Sequence, residues 1–338
     1  MTELWRHSAS ELAGRIARRD VSAREVVEAH LARIDAVNPA LNAITRVLAD
    51  SARSAADAAD ATTASGVPLG PLHGVPFTVK ENIDVAGSAT TWGLPALADA
   101  VPPIDSPVVE RLRAAGAIPI ARTNLPDMAL RVHTDSSLHG LTRNPWHPGR
   151  TTGGSSGGEA ASIATGMSPL GLGNDIGGSL RNPAACCGIA SIKPSAGRVP
   201  SCTLIPGPDA PAAFQLMPVE GPMARRVTDV RLALGVLSGR HPRDPYSVPV
   251  PATSPRAEGR PLRVAALATA STPRRRRTRP RRWSCSAASR PPTCSAFRRP
   301  TFRRAWSTAC LWACCSPPTG SRTTKRSTRP RSSRPRSA

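Results

Sequence analysis

Residues 152–194 read TGGSSGGEAASIATGMSPLGLGNDIGGSLRNPAACCGIASIKP and hold two Gly-Gly-Ser turns, whose serines, Ser155 and Ser179, lie 24 positions apart. Glycine doublets ahead of a serine give the backbone conformations closed to other residues and let amide N–H groups approach a reacting atom. Between the turns, residues 159–166 (EAASIATG) read as a helix closed by its glycine, and residues 169–173 (PLGLG) as a strand running into the second turn. Two such turns in one short segment mark it as the place where chemistry is to be sought.

The segments upstream repeat this helix and strand alternation. In residues 75–80 (VPFTVK), Val75, Phe77 and Val79 face one way while Thr78 and Lys80 face the other, so Lys80 leaves the apolar side. Ser106 and Pro107 suit the N-cap and first positions of a helix through VVERLRAAG, which Gly116 ends before a short strand over 118–121. Farther out, Ser8 with Glu11 and Ser22 with Glu25 each fit a capping box. Leu12 and Ile16, then Val26, Val27, Leu31, Ile34 and Val37, follow them at helical spacing. An Ala- and Asp-rich run over 48–62 predicts a third helix. The pattern predicts an α/β domain with a mixed or mostly parallel sheet and the glycine turns at strand ends.

The chain has 338 residues and a formal charge of +22, but 19 of its 45 basic residues and none of its 23 acidic ones fall within 271–338. The first 270 residues are therefore nearly balanced. The tail contains no Val, Ile, Met, Asn, Gln, His or Tyr and a single Leu, too little for a core, so disorder is expected there. Its arginines, interleaved with Trp283, Phe297, Phe302, Trp306 and Trp312, suit an arm that neutralises phosphates and stacks on bases. Five cysteines and a single lysine argue against an evolved arm, and the residue types match GC-rich codons read out of frame. Nucleic-acid binding is accordingly the disfavoured alternative. The N-terminus has no basic-then-apolar signal region and no apolar run approaches the ~20 residues of a membrane span, so a cytoplasmic location without membrane association is expected. No paired CxxC motif or cofactor fingerprint is present, and neither metal nor organic cofactor is expected.

A serine hydroxyl needs a base within hydrogen-bond reach. Gly153 to Gly157 match G-x-S-x-G, the nucleophile elbow of α/β-hydrolases, yet that reading gives the second turn no role and depends on the distant His241. A phosphate loop would need a lysine directly after the glycines, which is missing. Lys80 is the better base: at a strand end among apolar and glycine-rich segments, desolvation disfavours its charged form. His73 and His133 read as loop or packing residues, and Trp92 and Trp146 as core or pocket wall.

The segments PLHGVPFTVKENIDVAG (71–87), GGSSGGEAASIATG (153–166) and GNDIGGSLRNPAACCGIASIKPSAGRVP (173–200) closely resemble the amidase signature family. The resemblance implies a mixed β-sheet core flanked by helices on both faces, and an amide hydrolase needing no cofactor. It implies Lys80 as base, Ser155 as a bridging serine preceded by an unusual peptide geometry, and Ser179 as nucleophile. The backbone N–H groups of Ile176, Gly177, Gly178 and Ser179 would form the oxyanion hole. Asp175 and Arg181 would pair to fix the second turn, and Ser156 and Thr152 would donate hydrogen bonds to the relay.

The resemblance runs over about residues 5–268, with Asp127 where Glu is common and Ser191 where Gly is frequent. Beyond 270 it stops, so the expected organisation is an incomplete amidase signature domain over 1–270, lacking the family's C-terminal third, and a separate tail over 271–338. Such a product is expected to be poorly active. A small-molecule amide is the expected substrate and a homodimer is left open. Within the family the alternative is the glutamine-hydrolysing subunit of a tRNA-dependent amidotransferase, which would bring protein partners.

Overall fold

A computed structural model of the protein describes residues 3–205 and 217–250. The expectations for 271–338 lie outside the described residues. Both capping boxes form. Ser8 accepts from the Glu11 amide at the start of α1 (Ala9–Ala17), and Ser22 from the Glu25 amide at the start of α2 (Ala23–Leu41). Each glutamate reaches back to its cap amide, satisfying donors that a helix start leaves open. Carboxylates from distant helices add to this. Asp60 of α3 (Ala49–Ser65) accepts from the amides of Ala23 and Arg24, and Asp229 of α7 (Val227–Leu237) from those of Ala9 and Ser10.

Six strands form a mixed sheet. β1 (Ile44–Val47) runs antiparallel to β3 (Ile118–Thr123), which is parallel to β2 (Pro76–Lys80), itself parallel to β6 (Leu170–Asp175). β8 (Val219–Ala224) is antiparallel to β6 and to the short β7 (Ala190–Ser191), giving the order β1-β3-β2-β6-β8-β7. A separate hairpin pairs β4 (Asp135–Ser136) with β5 (Gly140–Leu141). The glycine turn at Ser179 follows the end of β6, as expected. The turn at Ser155 instead leads from a loop into α5 (Gly157–Ala164).

β2 and β3 are buried on both faces, the mark of strands covered by helices on either side. Phe77 and Val79 enter the main core, shared with α1 to α3, α4 (Pro107–Ala114) and α7. On the other face, α5 and α6 (Arg181–Cys187) enclose a smaller core of Ala160, Ile163, Leu180, Ala184, Cys187 and Met223. Ser106 stands at the N-cap of α4 with Pro107 after it, but its hydroxyl is buried without a partner and makes no cap bond. Among the described residues no helix is long and apolar enough to cross a membrane.

Candidate active site

Alternation along β2 sends Lys80 away from the main core and toward α5, where it is fully buried. Its Nζ lies 2.7 Å from Ser155 Oγ and 2.7 Å from Asn174 Oδ1. Burial pushes the lysine from an ordinary 10.5 to about 7, against the opposing pull of Asp175, Glu159 and Glu220. The amine is thus neutral for a large fraction of the time near neutral pH, with a serine hydroxyl in contact.

The turn carrying Ser155 is shaped by close approaches. The Gly154–Ser155 peptide is cis. A side chain at Gly154 would meet the Arg131 carbonyl and His133 amide at 2.7 Å, and one at Gly157 would meet Thr134 Oγ1 at 2.2 Å. Thr134 donates to the Gly153 carbonyl (2.9 Å) and accepts from the Gly157 amide (3.1 Å), clamping the turn. Two bonds bring it against the second turn: the Gly154 amide donates to Asn182 Oδ1 (3.1 Å), and the Ser156 amide to the Ser179 carbonyl (3.3 Å). The side chains of Ser156 and Thr152 do not serve the relay as expected. Ser156 Oγ faces the Asn174 carbonyl at 3.5 Å and Thr152 Oγ1 the Gly153 carbonyl at 3.2 Å, so Ser156 contributes through its amide.

Asp175 and Arg181 pair as expected, through Arg181 Nε and Nη2, each at 2.9 Å. The same carboxylate accepts the amides of Gly178 (2.7 Å) and Leu180 (3.1 Å). Burial would raise its pKa, but the guanidinium and the two amides outweigh it and hold Asp175 below the usual carboxylate range. This bonding corrects one expectation: the Gly178 amide is already given to Asp175, because the carboxylate turns inward to fix the loop. The amides of Ile176, Gly177 and Ser179 have no hydrogen-bond partner among the described residues. Gly177 is exposed, and a side chain there would meet nothing within 4 Å. Ser179 stands half-buried just ahead of α6, and its hydroxyl likewise has no partner among the described residues.

Sequence reasoning passed over Asn174, Glu159 and Glu220. Strict alternation from Gly171 assigns Asn174 to the face away from Lys80, and only the path of the chain at the end of β6 brings them together. Glu159 is fully buried, accepts from Thr78 and from Thr123 (2.7 Å), and is pushed by burial to about 7. Its signal was Gly171, where a side chain would lie 1.7 Å from Glu159 Oε1. Glu220, buried on β8 and bonded to Ser201 at 3.2 Å, is pushed by burial to about 8. His73 is a packing residue bonded to Ala59 and Thr63, and His133 bonds Thr151 at the surface. Trp92 is buried, as expected, whereas Trp146 is 72% exposed because only its indole N–H is tied down, to the Cys187 carbonyl.

Residues 25–278 match the family model described as Amidase. An indoleacetamide hydrolase of Bradyrhizobium diazoefficiens is 50% identical over 262 residues, 78% of this chain and 50% of that protein. A glutamyl-tRNA(Gln) amidotransferase subunit of Acidothermus cellulolyticus is 42% identical over 251 residues, 74% of this chain and 48% of that protein. The chain thus spans about half the length of the curated relatives it matches. The crystal structure of a bacterial aryl acylamidase of the amidase signature family superposes with a TM-score of 0.66 at 36% identity, over 72% of this chain and 50% of that one. With the mixed sheet, the two glycine-serine turns and the buried lysine all in place, this chain belongs to the amidase signature family.

Proposed function

We propose that the chain hydrolyses a carboxylic amide to a carboxylate and ammonia or an amine through an acyl-serine intermediate. The observation that carries this reading is the 2.7 Å contact between a fully buried Lys80, whose pKa is lowered to about 7, and Ser155 Oγ. Neutral Lys80 takes the Ser155 proton, Ser155 takes the Ser179 proton, and Ser179 Oγ adds to the amide carbonyl. The oxyanion is held by the amides of Ile176, Gly177 and Ser179, on the open side of the turn. Return of the proton through Ser155 to the leaving nitrogen breaks the C–N bond, and water then hydrolyses the Ser179 ester. Asp175 and Arg181 hold the second turn in shape for these steps.

The hydrolase and acylamidase relatives favour a small-molecule amide as substrate. The amidotransferase relatives support a second reading, glutamine hydrolysis within a complex of several proteins. Ammonia release by the full chain should be measured over a panel of aryl, alkyl and amino-acid amides including glutamine, beside Ser179→Ala. Turnover that disappears in the variant is expected; turnover that survives it would sink the acyl-serine reading, and strict preference for glutamine would favour the second. A cytoplasmic location and a homodimer belong to the same reading and are checked by cell fractionation and light scattering.

A further inference from the structure

We propose that Asn174 is a positioning residue for Lys80: its side-chain oxygen takes one Nζ hydrogen and so turns the nitrogen lone pair toward Ser155. The inference rests on the Ser–Ser–Lys reading above. A neutral lysine amine offers two N–H donors and one lone pair, and which of them meets Ser155 decides whether it acts as a base. Nζ has two hydrogen-bond partners at 2.7 Å, Ser155 Oγ and Asn174 Oδ1. A carboxamide oxygen accepts only, so an N–H must face Asn174, whereas the Ser155 hydroxyl is free to donate. The charged groups facing Lys80 are Asp175 beside Asn174 on β6, Glu159 from α5 and Glu220 from β8, and none of them bonds Nζ. Asn174 is fixed on a strand, paired across the ladder with Glu220, and so presents its oxygen from a rigid element.

Two substitutions separate orientation from charge. Asn174→Asp keeps the acceptor and adds a negative charge against Nζ; Asn174→Leu removes the acceptor at similar size. The chain contains three lysines, Lys80, Lys193 and Lys325, so lysine-selective 13C labelling of the full chain reads the Lys80 titration directly, without turnover. The second readout is the pH profile of covalent labelling of Ser179 by a sulfonyl fluoride, with circular dichroism confirming the fold.

In Asn174→Asp the Lys80 midpoint should rise by about one pH unit or more, and the labelling profile should move alkaline with it while its plateau stays near wild type. In Asn174→Leu the plateau rate should fall about tenfold or more, because the base is no longer aimed. Labelling by Asn174→Leu at the wild-type plateau, or an Asn174→Asp profile superimposed on wild type, overturns the inference and leaves the hydrolase reading standing. Wild type that is folded yet unlabelled at Ser179 overturns the hydrolase reading and with it the catalytic role of Asn174, and the lysine titration then shows only whether the two groups are coupled.

Discussion

Glu159 illustrates how much a single buried side chain controls here. Its carboxyl rests on two threonine hydroxyls in a space that Gly171 keeps open, and burial raises its pKa from 4.5 to about 7. The protonated form therefore contributes stability that is fully present below pH 4.5 and is lost as pH rises through about 7. Glu159→Gln stays neutral and does not incur that loss. Between pH 5 and pH 8 its unfolding free energy should fall less than that of wild type, by on the order of 2 kcal/mol. Urea denaturation at the two pH values checks this, and parallel falls in both proteins would refute it. Lys80 was legible at this scale because alternation in VPFTVK sets it apart from Phe77 and Val79. Asn174 was not, because its partner is chosen by where a strand end happens to lead.

At the scale of the element, β6 owes its sequence LGLGND to what lies against it. Gly171 gives room to Glu159, and a side chain at Gly173 would meet Ser156 Oγ at 2.8 Å and Leu180 at 2.9 Å. Glycine weakens a strand, and it is retained here because another element approaches closely. Gly177, one turn farther on, faces open space. Gly171→Ala should therefore destabilise the fold by about 1–3 kcal/mol through overpacking, whereas Gly177→Ala should melt like wild type and lose turnover by crowding the substrate side. Thermal unfolding read beside amide turnover separates the two, and equal melting of both variants would count against this account. Elements with local signals were readable: the capping boxes at Ser8 and Ser22, the Pro107 start of α4 and the glycine closing α5. β1, β7 and β8 were not, since four residues of ITRV or two of AS carry no period of their own and become strands only when a neighbour supplies the ladder.

Across the whole molecule, the two ends of the described chain are joined. Asp229 of α7 bonds the amides of Ala9 and Ser10 and the Ser10 hydroxyl at 3.3, 3.0 and 2.7 Å, and Arg225 reaches the Trp5 carbonyl at 3.0 Å. Asp229→Ala removes a carboxylate that caps a helix more than two hundred residues away in sequence. It should cost about 1–2 kcal/mol in urea denaturation while leaving Ser179 reactive to a sulfonyl fluoride. No loss of stability would show that the Ser8 capping box suffices alone. By itself the sequence determined the alternating elements, the two glycine turns, the lysine that faces them and the family they belong to, because these depend on local backbone freedom and on the period of apolar residues. Only the tertiary structure decided the strand order β1-β3-β2-β6-β8-β7, the meeting of Lys80 with both Ser155 and Asn174, the diversion of the Gly178 amide to Asp175 and the burial of Glu159. Those depend on which distant segments share a desolvated space, and that is a property of packing.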